Sequence, residues 1–143
     1  MRTVFIQGAW EIINAGHCQV LRDCRKQGDY LIVALNTNKL LEEYKGRKAV
    51  LPWEEKALII SSIRWVDRVV PATEFSPLAL LRDLDVDVYC LSHEWESTKT
   101  EEIAYMRDKG GSIFWTTDYP IVRTSEIKRR LLMEAQEKLP SHW

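Results

Sequence analysis

Short apolar runs alternate with stretches of helical periodicity along almost the whole chain. Thr3–Gly8, Tyr30–Asn36, Val66–Pro71, Val86–Ser92 and Ser112–Thr117 are nearly continuous in Val, Ile, Leu and aromatic residues. Strands covered on both faces read this way. The intervening segments carry helix signals. The first helix runs from about Gly16 to Gln27 and is expected to stop at Gly28 as a C-terminal cap. A second begins near Pro52, a favoured first-turn residue, and carries EEKALIISSIRW. Ser76-Pro77 opens a short third helix. Thr98 and Glu101 have capping-box spacing ahead of a helix that ends at Gly110-Gly111, and a last helix runs from Thr124 to about Leu139.

Strand–helix alternation of this kind predicts an α/β fold: a doubly wound, mainly parallel five-stranded sheet with helices on both faces, Rossmann-like, in a single domain over 1–143. No internal repeat or linker interrupts it, and the tail Pro140–Trp143 is expected to be loosely held. In such sheets ligands bind beyond the carboxyl ends of the strands. Three polar segments follow strand ends here: Gly8–His17, Ser92–Ser97 and Asp118–Ser125.

Composition narrows the function classes. Hydrophobic residues make up 45% and charged residues 29% of the 143, with a formal net charge of -1. That is a globular composition without the basic field of a nucleic-acid binder. Cys18, Cys24 and Cys90 form no CxxC pair and are odd in number, which favours a reducing compartment. With no signal-peptide pattern and no apolar run of membrane-spanning length, a cytoplasmic location is the expectation.

The candidate chemistry lies in the strand-end segments. Gly8 lets the backbone turn tightly and approach a ligand closely. Asn14-Ala15-Gly16-His17 reads either as a helix cap beside a partly buried histidine or as an anion cradle. Lys45, Arg47 and Lys48 in YKGRK read as a solvated basic turn. Arg64 is placed to pair with Asp67. Trp95 reads as a surface or packing aromatic. Thr124, in Arg123-Thr124-Ser125, is a natural cap for the last helix, and Lys128–Arg130 reads as a solvated helix face. His93 and Glu94 are too few to make a metal site.

The run GAWEIINAGH resembles the signature of the HxGH-type nucleotidyltransferase superfamily. QGDYLIVALNTN, YKGRKAVLPWEEKALIISSIRWVDRVVP and DVDVYCLSHEWES resemble successive segments of its glycerol-3-phosphate cytidylyltransferases, over roughly Arg2–Leu132. The chain differs in having Asn14 for the first histidine, Ala9 for a threonine, Glu11 for an aspartate, and DYPIVRTS for the RTEGISTT segment.

The resemblance implies attack on the α-phosphate of a nucleoside triphosphate by a phosphorylated acceptor, with release of pyrophosphate. His17 would be the principal donor and Asn14 its assistant, with Lys45 and Arg47 on the phosphates. Gly8, Ala9, Trp10, Gly16, His93 and Trp95 would border the nucleotide. Arg123, Thr124 and Ser125 would hold its β- and γ-phosphates, Arg123 restoring charge absent at Asn14. Arg64 would hold the acceptor. Mg2+ would bridge the triphosphate oxygens, and the chain would pair as a homodimer. CMP transfer from CTP to an acceptor such as glycerol 3-phosphate is the leading expectation. The alternatives are an adenylyltransferase acting on a sugar phosphate or cofactor precursor, and a non-catalytic nucleotide-binding homologue. No nucleic-acid or membrane partner is expected.

Overall fold

The computed structural model describes residues 1–119 and 123–137. In chain order the elements are β1 Thr3–Gly8, α1 Ala15–Arg25, β2 Tyr30–Asn36, α2 Asn38–Lys45, α3 Trp53–Ser61, β3 Arg68–Ala72, α4 Leu78–Asp83, β4 Val88–Leu91, α5 Thr100–Asp108, β5 Ser112–Trp115 and α6 Thr124–Gln136. The five strands form one sheet in the order β3-β2-β1-β4-β5, and every neighbouring pair is parallel. The expected α/β Rossmann-like sheet is what the chain forms.

Alternation along each strand builds two cores, one per face. Val4 and Ile6 of β1 join Leu31, Val33 and Leu35 of β2 beneath Leu21 and Cys24 of α1 and Ile60 of α3. Phe5 joins Ile32, Ala34 and Tyr89 on the other face, covered by Leu81 of α4 and by Ile103 and Met106 of α5. Burying one such side chain contributes roughly 1.5–3 kcal/mol, so both faces of β1 and β2 are strongly determined. Their bounds match the sequence expectation. All three cysteines are free, and Cys24 and Cys90 are buried.

Several expectations are corrected. β3 starts later than Val66, and β4 starts later than Val86 and ends before Ser92. β5 stops at Trp115 rather than Thr117. The first helix is capped by Lys26. Gly28 serves instead as a point of close approach: a Cβ there would lie 2.6 Å from the Arg2 carbonyl oxygen. The Thr98–Glu101 capping box does not form, because α5 starts one turn position later, with Lys99 at the cap and no side-chain cap bond. The helix through EEKALIISSIRW ends at Ser61, leaving Arg64 and Trp65 in the following turn. Helix α2 was not anticipated. Thr37 caps it by accepting from the Leu40 N–H at 3.2 Å, and Gly46 closes it in the left-handed region (φ 69°). Lys45 is therefore the last residue of a helix rather than part of a loop. The expected helix end at Leu139 and the tail Pro140–Trp143 lie outside the described residues.

β1 lies between β2 and β4, the strand orders running outward from it in opposite senses. That is the switch point at which a crevice opens beyond the carboxyl ends of the strands. Here it measures about 1140 Å³ and is framed by the segments after β1, β4 and β5.

Candidate active site

The turn from β1 into α1 is built around Trp10 and Asn14. Trp10 has φ 49°, an uncommon conformation for a bulky residue, and its indole lies under Gly8, where an added Cβ would meet Nε1 at 3.1 Å. Asn14 is extended (φ -144°, ψ 179°) and begins α1 with a reciprocal cap. Its Oδ1 accepts from the Gly16 N–H at 3.0 Å, and its own backbone N–H donates to Nδ1 of His17 at 3.1 Å. A histidine thus takes the place of the Glu or Gln of an ordinary capping box.

This bond fixes the chemistry of His17. Nδ1 accepts, so in the neutral ring Nε2 carries the proton. Nε2–H has no protein acceptor among the described residues and is left as a donor at the crevice. Burial pushes the His17 pKa below its usual 6.5 and favours that neutral form. Trp10 holds the ring from its edge, with centroids 5.3 Å apart.

Asn14 has no such freedom. Its Nδ2 donates to the Ile12 carbonyl at 3.0 Å and to Thr124 Oγ1 at 3.4 Å. With Oδ1 also engaged, Asn14 positions the turn rather than offering a donor to a ligand. Thr124 Oγ1 in turn donates to the Ile12 carbonyl at 3.1 Å. Thr124 is the first helical residue of α6, not its cap; Arg123 occupies the cap position without a side-chain cap bond. These bonds bring the N-termini of α1 and α6 together. Each contributes free N–H groups and roughly half a positive charge, which suits their junction to an anion.

Gly8, Ala9, Trp10, Asn14, Gly16, His17, Lys45, His93, Trp95, Arg123, Thr124 and Ser125 all line this one crevice. Arg123 makes an exposed ion pair with Asp118 there. Arg64 is not among them. It lies with Arg22, Arg25 and Lys26 around a separate shallow depression, its guanidinium 5.6 Å from the Trp65 ring. Asp67, the partner weighed for it, pairs with Arg25 at 3.0 Å. Helix α3 ends before Arg64, and the turn carries the residue away from the strand ends.

Arg47 borders the crevice without lining it. Its guanidinium grips Glu11 in a fork at 3.1 and 3.2 Å. Glu11 is 3% exposed and also accepts from Lys128 Nζ at 2.6 Å and from the Val50 N–H at 3.2 Å. Burial opposes its ionisation. The bonds from Arg47 and Lys128, the Lys128 charge and the Val50 N–H outweigh that and hold the carboxyl at about 2. Lys128, expected on a solvated face, is a buried carboxylate's partner.

Aromatic residues divide the rest of the crevice. His93, in a short 3-10 turn after β4, stacks on Trp115 with centroids 4.4 Å apart and planes 12° apart. Trp95 faces the opposite side, edge-on to Phe75 at 5.8 Å, and Phe75 meets Tyr44 at 5.4 Å. Lys99 Nζ sits 3.7 Å over the Phe75 ring and donates to its carbonyl at 2.9 Å. The floor beside them holds Gln7, whose Nε2 donates to Asn36 Oδ1 at 3.0 Å while its buried Oε1 has no partner among the described residues. Sequence reasoning missed Glu11, Tyr44, Phe75, Lys99 and Trp115. A polar pair at the ends of β1 and β2, Gln7 and Asn36, was the visible sign of this second half.

A crevice with paired helix N-termini and a histidine donor at the switch point of a parallel sheet is suited to a nucleoside triphosphate. The cytidylyltransferase-like family model matches residues 5–130, and the chain belongs to this family of nucleotidyltransferases. It is 33% identical over 132 residues to a glycerol-3-phosphate cytidylyltransferase of Staphylococcus aureus, covering 92% of this chain and 96% of that one. It is also 36% identical over 104 residues to the bifunctional protein HldE of Photorhabdus laumondii, covering 72% of this chain but only 21% of that protein. A lipopolysaccharide core biosynthesis protein from Thermoplasma volcanium has the same fold, with a TM-score of 0.72 at 21% identity over 83% of this chain and 98% of that one. No helix among the described residues is long and apolar enough to cross a membrane.

Proposed function

We propose that this nucleotidyltransferase transfers CMP from CTP to a small phosphorylated alcohol of the glycerol 3-phosphate kind. The observation that carries the reading is the convergence of the α1 and α6 N-termini on the free Nε2–H of His17. The similarity to a glycerol-3-phosphate cytidylyltransferase over nearly the whole of both chains supports the choice of substrates.

An acceptor phosphate is already ionised at neutral pH, so the reaction needs no general base. One of its oxygens forms a bond to the α-phosphorus as the bond to the β-phosphate oxygen breaks, and pyrophosphate leaves with that electron pair. The protein's work is positioning and stabilisation of charge around phosphorus. His17 Nε2–H donates to an α-phosphate oxygen. The N–H groups opening α1 and α6 hold the tail, with Lys45 and Arg123 at the rim. The half with His93 and Trp115 takes the nucleoside. The half with Gln7, Asn36, Phe75 and Trp95 takes the acceptor. Asn14 sets the geometry of the turn and does not contact phosphate.

Mg2+ would supply neutralisation of the triphosphate charge. Among the described residues there is no group of three or more His, Cys, Asp and Glu side chains that could hold an ion. That suits a cation carried by the nucleotide's own oxygens and water. Exposed Leu58 and Ile59 on α3 and Leu131, Leu132 and Met133 on α6 support a homodimer, which sedimentation velocity would test.

Pyrophosphate release from each nucleoside triphosphate, measured against a panel of phosphorylated alcohols and sugars, tests the function. CTP with a polyol phosphate should give the highest kcat/KM. Preference for ATP would move the protein to adenylyl transfer. Nucleotide binding with no release would make it a non-catalytic homologue.

A further inference from the structure

Two polar groups in the half of the crevice beside Phe75 have placements that nucleotidyl transfer by itself does not require. The first is the Gln7 amide at the carboxyl end of β1. Its Nε2 donates to Asn36 Oδ1 and to the Glu74 carbonyl, both at 3.0 Å, and reaches the Phe75 carbonyl at 3.4 Å. Three acceptors on one side fix that end of the amide as the nitrogen and turn Oε1 the other way. Asn36 is itself buried, so the amide has a rigid neighbour. Oε1 is buried and has no donor among the described residues. An unpaired buried acceptor is costly, and in a residue that lines a crevice a donor on the ligand completes it.

The second is Lys99. It is 8% exposed and lines the same crevice. Its Nζ lies 3.7 Å over the Phe75 ring and donates to the Phe75 carbonyl at 2.9 Å. Burial lowers its pKa, and the buried Glu102 carboxylate works against that as its countercharge. Tyr44 and Trp95 pack on the same ring at 5.4 and 5.8 Å. Three neighbouring aromatic rings would suit a cationic head group, because ring faces attract ammonium. Here the chain supplies that ammonium itself. A second cation entering beside Lys99 would meet like charge in a partly desolvated pocket.

We propose that Gln7 and Lys99 select the acceptor: Gln7 Oε1 accepts a hydrogen bond from an acceptor hydroxyl, and the Lys99 ammonium on Phe75 excludes acceptors with a cationic head. The substrate class is a phosphorylated polyol, and amino-alcohol and quaternary-ammonium phosphates are rejected. Tyr44, Phe75 and Trp95 are 43%, 40% and 38% exposed. Side chains this open change rotamer quickly, so a hydroxyl reaches the Gln7 amide without backbone movement. The inference rests on the nucleotidyl-transfer reading and deepens it by naming the two residues that choose among acceptors.

The test compares three compounds that share a phosphate: glycerol 3-phosphate, propyl phosphate, which lacks the hydroxyls, and phosphocholine, which carries a fixed cation. Each is titrated calorimetrically into the full chain and assayed for pyrophosphate release with CTP. Wild type should prefer glycerol 3-phosphate at least about tenfold in kcat/KM over either of the others. Gln7→Met should bring glycerol 3-phosphate and propyl phosphate to within about threefold of each other. Lys99→Met removes the charge and keeps an unbranched side chain at Phe75; it should raise kcat/KM for phosphocholine at least about tenfold. A hydroxyl preference absent from wild type, or kept in Gln7→Met, would overturn the role of Gln7. Phosphocholine use unchanged in a folded Lys99→Met would overturn exclusion by Lys99.

Second variants guard against misfolding. Gln7→Asn withdraws the amide by one methylene, and Lys99→Gln keeps a donor for the Phe75 carbonyl without the charge. Pyrophosphate release judges the transfer reading separately. No release with any acceptor fails that reading, and the calorimetric order of the three compounds then decides for Gln7 and Lys99, with binding of all three within about twofold overturning both. Release with CTP alongside equal use of all three acceptors sinks the selection and leaves transfer standing.

Discussion

The Nδ1 atom of His17 accepts the backbone N–H of Asn14 at 3.1 Å, so the helix cap and the proposed phosphate donor share one imidazole. Removing the ring has two consequences. His17→Ala should lose at least about a hundredfold in kcat, the scale of one donor aimed at developing charge. It should also lose about 1 kcal/mol of stability with its half of the cap. Steady-state kinetics and urea denaturation on the same variant read both. A folded variant with near-parental kcat would take His17 out of the mechanism.

The same bond sets a pH dependence. Protonated imidazole carries a hydrogen on Nδ1 and has no lone pair for the Asn14 N–H. Burial lowers the His17 pKa from 6.5, so the neutral ring is the form favoured by folding. The sign follows from linkage: the unfolded chain binds the proton more readily, and this stabilisation is fully present above pH 6.5. It is lost as pH falls through the lowered folded value. The acid limb of kcat should therefore fall below pH 6.5 and vanish in His17→Gln. An acid limb centred above 6.5, or one retained in His17→Gln, would assign it to another group.

Asn14 occupies the position of a motif histidine but uses Oδ1 and Nδ2 inside the protein. Asn14→Ala should cost about 0.5–2 kcal/mol. Its kcat should fall no more than about tenfold, since no direct phosphate donor is lost. Asn14→His should be destabilised as well, because a ring has too few suitably placed atoms to serve Gly16, Ile12 and Thr124 together. Compensation between Asn14→His and Arg123→Ala is then not expected, and a double-mutant cycle on kcat should be additive within about 0.5 kcal/mol. A large coupling would show that position 14 reaches the triphosphate.

How far the sequence could be read depended on how local each cause was. β1 and β2 are apolar on both faces, and their own residues specify them to the end. Val66 and Val86 look like strand residues, yet β3 and β4 start two residues after each. α2 escaped notice because only Leu40 and Leu41 of its eight residues are buried, although Thr37 and Gly46 mark its ends. The crevice was legible where one segment carries both the turn and the chemistry, as in Gly8–His17. It was not legible at Glu11, whose Arg47 and Lys128 partners lie 36 and 117 residues away. Nothing near Lys128 separates it from the exposed Arg129 and Arg130, because α6 brings it to Glu11 only through the docking of its first turn on Ile12 and Asn14.

Glu11 should carry an acid-sensitive share of the stability. It ties the segment after α2, through Arg47 and Val50, to α6, through Lys128. Replacing it with Gln keeps the shape but leaves two cations without their anion beside buried Lys56. Breaking a fully buried pair costs about 3–5 kcal/mol. Arg47 and Lys128 are part-exposed, and water recovers some of that, so a loss of about 2 kcal/mol at pH 7 is expected for Glu11→Gln. The carboxyl is held at about 2 against an ordinary 4.5. Its contribution is thus complete above about pH 4.5 and declines as pH falls toward 2, where the unfolded chain protonates first. Urea titrations of both proteins between pH 7 and pH 3 should show a constant stability gap above about 5 that narrows steadily below 4.5. A gap that stays constant to pH 3 would mean that Glu11 acts through its shape and not its charge.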